Sequence, residues 1–380
     1  MKLRRTTALL MGAALSVAIT PWASATPLFP QTNYSAGNYG FNQPIDVASD
    51  GTHLWVANIG GNSVTELNLS DGSWVQTLSG GGYNFAGPAT IYSDGTYVWV
   101  ANVNNNSVTQ IDASTGNLVR SMSGGSYGFT YPLGMYSDGT HLWVANNTGA
   151  SVSEVDIASG AAVQTLSGGG YNFGGSVTII GSGSTIYVAN AWTNSITELT
   201  TSGTLVRVYQ GAGFNFQSPQ GLALLNGELW VANYQNSSVT HFTPGASPSP
   251  VNISDASLKL DGSIRLASDG TNIWVTNQNN ATISVINPAD DSLLTYFDAA
   301  SGISAPIGIG VFSNAVWVAN LGNNSVSTFE LPAPPTTTMP ITPLPHTGAN
   351  FSSYGEWSAL LVVLGLALVL LSRSREGRDF

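Results

Sequence analysis

The chain has 380 residues, with 43 glycines, 18 prolines and no cysteine, and its formal net charge is −11. The lack of cysteine excludes a disulfide scaffold, a thiolate metal site and a thiol nucleophile. Only four Lys or Arg residues lie between Thr26 and Thr347, so the acidic chain is a poor candidate for nucleic-acid binding. Abundant Gly, Ser, Thr, Asn and Val indicate strands and turns, and we expect an all-β protein.

The first 25 residues are predicted to be a secretory signal. The basic start of this segment consists of Lys2, Arg4 and Arg5. An apolar stretch over residues 8–19 follows, and the small residues 23–25 (Ala-Ser-Ala) form a cleavage pattern. We therefore expect a signal peptide over residues 1–25, cleaved between Ala25 and Thr26. An uncleaved membrane anchor is the alternative.

A four-residue motif recurs seven times through the middle of the chain. It is Trp-Val-Ala-Asn in five copies, begins with Tyr in the fourth and has Thr in place of Ala in the sixth. The copies begin at Trp55, Trp99, Trp143, Tyr187, Trp230, Trp274 and Trp317. Their spacing is always 43 or 44 residues. A period of this length with several short strands is typical of propeller blades.

One repeat shows four predicted strands. They cover residues 89–92, 97–101, 107–112 and 118–122, and Ser-Asp-Gly-Thr at 93–96 has the composition of a hairpin turn. Four antiparallel strands per period make one blade of a propeller. Seven copies of the second strand therefore predict a seven-bladed β-propeller of four-stranded antiparallel blades.

The last repeat lacks a fourth strand. Its third strand is expected at about Ser325 to Phe329, and a proline-rich stretch follows directly. Near the other end, residues 38–41 (Asn-Tyr-Gly-Phe) match residues 126–129 (Ser-Tyr-Gly-Phe), which follow a fourth strand. We therefore expect residues 31–35 to supply the outer strand of the seventh blade. The propeller domain is assigned to residues 26–331.

The repeat resembles the seven-bladed NHL/YVTN-type propellers and the related streptogramin-lyase-like group. The resemblance rests on the Trp-Val-Ala-Asn strand, the Ser-Asp-Gly-Thr turn before it and the Ser-Val-Thr strand after it, over residues 31–331. It implies a fold rather than one function, because propellers host many unrelated activities. Lyase activity in that group implies a His/Glu pair and a metal ion at the ring centre, and this sequence has no matching pair. We expect no catalytic residue, cofactor or bound metal.

Four segments follow one another at the C-terminal end. Residues 332–343 are a Pro/Thr-rich linker, 344–348 are Leu-Pro-His-Thr-Gly, 357–371 are a predicted transmembrane helix, and 372–380 are a basic cytoplasmic tail. The basic residues behind the apolar run are Arg373, Arg375 and Arg378. Their position follows the positive-inside rule, which places the body of the protein outside the cell.

This order resembles the cell-wall sorting signal of Gram-positive surface proteins. The resemblance implies that a sortase recognises Leu344 and Pro345, cleaves between Thr347 and Gly348, and links Thr347 covalently to peptidoglycan. The partners it implies are sortase and peptidoglycan, with membrane contact only through the C-terminal tail before sorting. The implied location is the cell-wall surface of a Gram-positive bacterium. An ordinary single-span membrane anchor is the alternative.

The candidate ligand-binding residues lie on one face of the predicted ring. Four of them break the repeat: Trp192, Thr193, Tyr234 and Gln235. Three tyrosines recur in Gly-rich loops: Tyr83, Tyr127 and Tyr171. Aromatic rings and amides suit a glycan or a peptide. We expect the recurring Asn, Phe and Trp residues to be structural, and the histidines of the repeats (His53, His141 and His241) to be solvated rather than catalytic.

Three functions are compatible with these features. The first is an extracellular binding or adhesion module displayed by sortase, with an unknown glycan or protein as its ligand. The second is a metal-dependent extracellular lyase or hydrolase built on the same ring. The third is a structural wall protein with no specific ligand.

Overall fold

The computed structural model describes residues 28–35 and 37–332. Within these residues the chain forms seven four-stranded antiparallel sheets, which confirms the all-β class and the predicted seven-bladed propeller. No helix in this part of the chain is long and apolar enough to cross a membrane. Several predicted segments lie outside the described residues: the predicted signal peptide, the linker beyond residue 332, the Leu-Pro-His-Thr-Gly motif, the helix predicted at 357–371 and the predicted basic tail.

The strands of the first four blades follow the chain from the inner to the outer edge of each sheet. Blade 1 consists of β2 (Pro44–Ser49), β3 (His53–Asn58), β4 (Ser63–Asn68) and β5 (Trp74–Ser79). Blade 2 consists of β6 (Pro88–Ser93), β7 (Tyr97–Asn102), β8 (Ser107–Asp112) and β9 (Leu118–Ser123). Blade 3 consists of β10 (Pro132–Ser137), β11 (His141–Asn146), β12 (Ser151–Asp156) and β13 (Ala162–Ser167). Blade 4 consists of β14 (Ser176–Ser182), β15 (Thr185–Asn190), β16 (Ser195–Thr200) and β17 (Leu205–Tyr209).

The last three blades follow the same order, except that the outer strand of blade 7 comes from the start of the described chain. Blade 5 consists of β18 (Pro219–Leu225), β19 (Glu228–Asn233), β20 (Ser238–Phe242) and β21 (Val251–Ile253). Blade 6 consists of β22 (Ser263–Ser268), β23 (Ile273–Asn277), β24 (Thr282–Asn287) and β25 (Ser292–Phe297). Blade 7 consists of β26 (Pro306–Phe312), β27 (Ala315–Asn320), β28 (Ser325–Glu330) and β1 (Gln31–Tyr34). Short 3-10 helices occur at Gly37–Tyr39, Ala256–Leu258 and Ala299–Ser301.

The hydrophobic core lies between the blades, not within them. The Trp55 side chain of blade 1 packs in one cluster with Val98 and Val100 of blade 2. The same arrangement repeats around the ring, and Trp317 of blade 7 packs with Leu54 and Val56 of blade 1. The second strand of each blade contacts a neighbouring blade on each face of its sheet. Both faces of this strand must therefore be apolar, which explains its continuous hydrophobic sequence.

The Ser-Asp-Gly-Thr turn also supports the tryptophan of the strand that follows it. The Asp50 carboxylate accepts the backbone N–H groups of Thr52 and His53, both at 2.7 Å, and so closes the turn. Its second oxygen accepts the indole N–H of Trp55 at 2.8 Å. This hydrogen bond avoids the free-energy cost of an unpaired N–H group in an apolar core. Blades 2, 3 and 6 repeat this bond with Asp94, Asp138 and Asp269.

The N-terminal strand closes the ring, as the sequence predicts. Strand β1 pairs antiparallel with β28, from Gln31 opposite Phe329 to Tyr34 opposite Val326. The Tyr34 ring stacks on Trp317 with ring centroids 5.5 Å apart. Just before β1, the Phe29 ring lies 4.8 Å from Trp274, so the N-terminal segment contacts two blades at once.

A buried asparagine at the end of each second strand links that strand to its neighbours. Its side-chain NH2 donates to a hydroxyl seven residues later, as Asn102 does to Thr109 at 3.0 Å. That hydroxyl donates in turn to a carbonyl of the incoming inter-blade loop, as Thr109 does to Tyr83 at 2.8 Å. All seven asparagines are fully buried, which confirms their structural role: Asn58, Asn102, Asn146, Asn190, Asn233, Asn277 and Asn320.

A second polar contact joins consecutive blades four residues further on. The Asn62 side-chain oxygen accepts the N–H of Gly87 at 2.7 Å, and Asn106 accepts that of Tyr131 at 2.7 Å. Asn324 closes the circle by accepting the N–H of Gln43 at 2.7 Å. The three asparagines have φ between 47° and 54°, a region that Asn tolerates better than most residues. This explains why Asn is so frequent in these turns.

We predict that Phe29→Ala lowers the free energy of unfolding by about 3 kcal/mol, because it empties a packed site between two blades. Phe29 is 2% exposed, whereas the preceding Leu28 is 53% exposed. Leu28→Ala is therefore the matched control, with an expected change within about 0.5 kcal/mol. Urea unfolding monitored by Trp fluorescence measures both variants. Equal stability of the two variants would contradict the anchoring role of the N-terminal segment.

Asn102→Ala is predicted to lower the free energy of unfolding by about 2–3 kcal/mol, because the Thr109 hydroxyl and nearby backbone groups lose a buried hydrogen-bond partner. Asn104→Ala, two residues along the same turn, removes an exposed amide and should change stability by less than about 0.5 kcal/mol. The same unfolding experiment compares the two variants. A loss of similar size in both would show that the turn, and not the buried amide, sets the stability.

Candidate functional site

The two faces of the ring carry different loops. The upper face, as we name it, holds the inter-blade loops and the turns between second and third strands, because every first strand starts there. The lower face holds the Ser-Asp-Gly-Thr turns and the turns between third and fourth strands. Trp192 and Thr193 lie on the upper face between β15 and β16, and Tyr234 and Gln235 lie there between β19 and β20.

Trp192 is the most exposed large apolar side chain of the described residues, at 62%. Its indole lies against Gly175, where a side-chain methyl group in place of the glycine hydrogen would come within 2.5 Å of the ring. The φ angle of Gly175 is +63°, so glycine is favoured here for its backbone as well as for the space it leaves. The Trp192 backbone N–H donates to the Gly174 carbonyl at 2.9 Å. The indole is thus supported from below and open above.

Thr193 holds the same turn to the loop that enters blade 4. Its hydroxyl donates to the Asn172 carbonyl at 2.9 Å and lies 3.0 Å from the Ser195 hydroxyl. Asn105 and Asn236 make the equivalent loop contact in blades 2 and 5. Part of the role of Thr193 is therefore structural.

A polar groove runs beside Thr193, between blades 4 and 5. We call it the blade 4–5 groove; it has a volume of about 410 Å³, and its lining includes Thr193, Asn194, Gln210, Asn215, Phe216 and Gln217. Asn194 also makes the inter-blade contact here, since its side-chain oxygen accepts the N–H of Ser218 at 2.8 Å. Of the lining residues, Thr193 alone is a candidate predicted from the sequence. Asn194 lies in the same turn, Phe216 is one of the recurring phenylalanines expected to be structural, and Gln210, Asn215 and Gln217 lie after an outer strand and in a loop.

Tyr234 and Gln235 lie on the upper face but do not line this groove. The Tyr234 hydroxyl donates to the Asn279 side chain at 3.3 Å, and Asn279 donates to Asp261 at 3.2 Å. The Gln235 backbone N–H donates to the Gln217 carbonyl at 3.2 Å, which fixes one wall of the groove. The structure therefore brings Gln235 near the groove and places Tyr234 in a separate network toward blade 6.

The three recurring tyrosines are half-buried between blades. Their hydroxyls donate to turn carbonyls, at 2.8 Å for Tyr83 and Tyr127 and at 3.1 Å for Tyr171. Each ring stacks on the phenylalanine two residues later, with centroids 5.1–5.2 Å apart. These contacts explain why the tyrosines recur. A ligand-binding role for Tyr83, Tyr127 and Tyr171 stays a prediction.

On the lower face, two histidines each lie between two carboxylates. His53 Nδ1 is 3.2 Å from Asp50 Oδ2 and 3.4 Å from Glu66 Oε1. In blade 3, His141 Nδ1 lies 3.3 Å from Glu154. Burial pushes the pKa of Asp50 up, but hydrogen bonds from His53, Trp55 and Thr52 outweigh it and hold this pKa below its ordinary value. Both histidines are partly buried, more than solvated turn residues would be.

Blade 5 contains the same pair of residue types in exchanged positions. His241 is on the third strand, where blades 1 and 3 have Glu, and its Nδ1 is 3.1 Å from Glu228. Its Nε2 is 3.3 Å from Asp291 of blade 6, and its ring stacks on Trp230 at 4.1 Å. In residues 28–35 and 37–332, no group of three or more His, Asp or Glu side chains is arranged to hold a metal ion. The described residues therefore do not fit the metal site that the lyase resemblance implies.

Two charged residues lie on the inner strands that surround the ring centre. Asp46 of β2 and Arg265 of β22 are both third in their strands. Asp46 accepts the N–H of Ile91 at 3.2 Å, and Arg265 donates to the Gln220 carbonyl at 3.2 Å. Burial raises the pKa of Asp46 to about 6, although Arg265 and the N–H donors act in the opposite direction. The two charges thus attract each other without forming a close ion pair.

Comparison with known proteins identifies the fold alone. No family model matches the chain, and no curated protein matches it. Among solved structures, a streptogramin B lyase has a TM-score of 0.66 at 17% identity, covering 80% of this chain and 98% of its own. Virginiamycin B lyase from Staphylococcus aureus has a TM-score of 0.65 at 16% identity, covering 80% of this chain and 100% of its own. The Cps50 (Swd1) propeller domain of Myceliophteria thermophila scores 0.64 at 12% identity, with 80% and 100% covered.

Asp46 is predicted to make stability depend on pH between about 4 and 7. Its pKa is raised in the folded state, so the folded protein binds a proton more tightly than the unfolded chain does, and this contribution is lost as pH rises through about 6. Relative to Asp46→Asn, the free energy of unfolding of the wild-type protein should fall by about 2 kcal/mol from pH 4 to pH 7. Urea unfolding at both pH values measures the difference. Asp71→Asn, at an exposed turn, is the comparison: hydrogen bonds from Ser73 lower the pKa of Asp71, so relative to this variant the wild type should gain stability as pH rises.

Proposed function

We propose that the protein is an extracellular binding module that a sortase attaches to the cell wall through Thr347. The support for display comes from the sequence: a signal segment at residues 1–25, the motif at 344–348, and an apolar run and basic tail behind it. The order of these four elements, more than the five-residue motif alone, carries this part of the proposal. The propeller then faces the environment of the cell.

The observation that carries the binding function is the exposed indole of Trp192. The position two residues after each buried Asn is occupied by Gly60, Asn104, Thr148, Trp192, Gln235, Asn279 and Gly322. Blade 4 alone has a large apolar side chain there, and this side chain is 62% exposed. Tryptophan is enriched at binding interfaces, because its ring offers a large apolar surface together with a polar N–H group. Nothing in the repeat requires Trp at this position.

The residue types of the upper face also suit binding, since an exposed indole and several amide side chains lie there. The likeness to two lyases lies below 20% identity and concerns the fold. A saturable interaction of the purified domain (residues 26–347) with immobilised glycans or matrix proteins would support the module. If neither immobilised surface shows saturable binding, the result favours a structural wall protein with no specific ligand.

Thr347→Ala is predicted to keep the protein in the membrane fraction, because the substitution removes a side chain of the motif that the sortase recognises, at the residue whose carbonyl its thiolate attacks in the implied reaction. In the producing cells, the wild-type protein should stay with peptidoglycan after boiling in detergent and be released by a cell-wall hydrolase. The control is Thr342→Ala, five residues earlier in the linker, which should behave like the wild type. Detergent-resistant attachment of the Thr347→Ala variant would contradict sortase processing.

A further inference from the structure

We propose that the blade 4–5 groove binds a neutral oligosaccharide, with Trp192 as the platform on which one sugar ring stacks. This inference rests on the proposed binding function and names the class of ligand and its site. Four features of the described residues support it: the size of the groove, its free amide groups, its lack of charge and the position of the indole.

The groove is large enough for part of an oligosaccharide. Its volume is about 410 Å³, within the roughly 300–1,000 Å³ of small-molecule sites. It opens on the upper face, so a linear chain can enter it and continue across the surface. One wall is the turn that carries Thr193 and Asn194, and the other is the segment from Gln210 to Gln217. The buried Phe216 ring contributes an apolar part of the lining.

Amide groups of this lining are available to a ligand. The side-chain oxygens of Asn194 and Gln210 accept hydrogen bonds from Ser218 and Asn172, at 2.8 and 3.1 Å, which fixes both amides. Within the described residues, their NH2 groups have no hydrogen-bond partner in the protein, and neither do the side-chain amides of Asn215 and Gln217. A sugar hydroxyl both donates and accepts hydrogen bonds, and an amide offers both functions. Held amides lose less rotamer entropy on binding than free ones.

The absence of charge in the groove selects a neutral ligand. No acidic or basic residue lines it. By contrast, two lower-face cavities are each lined by a carboxylate and a histidine, Asp50 with His53 and Asp138 with His141. The segment from Thr26 to Thr347 holds 4 Lys or Arg and 18 Asp or Glu, a balance of −14, which disfavours acidic polysaccharides. A neutral chain of hydroxyl groups meets neither repulsion nor an unpaired buried charge.

Trp192 supplies the apolar contact that such a ligand needs. It directly precedes Thr193 in the turn that forms the first wall of the groove. One side of its indole rests on Gly175, so the opposite side is presented to solvent as a flat surface. Sugar rings carry C–H groups on one face, and these pack against the negative face of an aromatic ring. One turn therefore provides an apolar contact at Trp192 and polar contacts at Thr193 and Asn194.

The experiment is a calorimetric titration of the domain (residues 26–347) with four neutral hexasaccharides: maltohexaose, cellohexaose, xylohexaose and chitohexaose. A hyaluronate hexasaccharide is the anionic comparison. We expect saturable binding of at least one neutral chain and none of hyaluronate. Trp192→Ala should weaken the binding tenfold or more, and Trp192→Phe should recover part of it. Gln217→Ala should weaken it without changing the melting temperature.

Trp74→Ala is the matched control, because Trp74 is 45% exposed on the outer strand β5, away from the groove. It should leave affinity unchanged, and the melting temperatures of all variants should match the wild type. Equal affinity of Trp192→Ala and wild type would overturn the inference. If hyaluronate or a matrix protein binds and none of the neutral saccharides does, the inference is also overturned. The proposed binding function is then still supported. If none of the probes binds, the result contradicts both this inference and the proposed binding function.

Discussion

Burial of the second-strand aromatic residue against the next blade is the constraint on which this structure depends. No blade can cover its own Trp, as the clusters of Trp55 with blade 2 and of Trp317 with blade 1 show. Each blade is therefore stable only between two neighbours, and an open arc would expose an apolar sheet face at both ends. Closing the ring removes both exposed faces, which is why a strand from the start of the described chain, β1, completes blade 7.

The packing of the blades also buries polar groups, and these groups must then form hydrogen bonds within the protein. Every second strand ends at a buried Asn that must be paired, and a Thr or Ser seven residues later supplies the partner. The pairing also fixes the inter-blade loop, because the hydroxyl donates to a loop carbonyl in blades 1 to 6. Most of the repeat sequence is thereby explained by packing and hydrogen bonding. Little of it is left to be explained by ligand binding.

The sequence predicts the ring well because its determinants are local and repeated. The spacing of Trp55, Trp99 and Trp143 sets the blade length, and the missing fourth strand after Phe329 indicates the closure by β1. The groove could not be predicted in the same way, because Gln210 and Gln217 in its wall follow no periodic rule. Gln210 directly follows an outer strand and Gln217 lies in a loop. Their proximity to Thr193 follows only from how two blades are rotated against each other.

Blades 4 and 5 are also where the repeat is least regular, and this links the fold to the proposed site. Blade 4 has Tyr187 in place of Trp, and both blades, like blade 7, lack the Ser-Asp-Gly-Thr turn. In blade 5 the outer strand β21 is only three residues long, and His241 stacks on Trp230 where blades 1 and 3 have Glu. A ring of identical blades would give seven equivalent grooves with one shared chemistry. Loss of the repeat in two adjacent blades frees one junction to differ, and the turn that carries the exposed Trp192 also supplies Thr193 and Asn194 to the groove there. Since the other turns keep Gly, Asn, Thr or Gln at this position, a ligand that needs an aromatic platform is directed to one place on the ring.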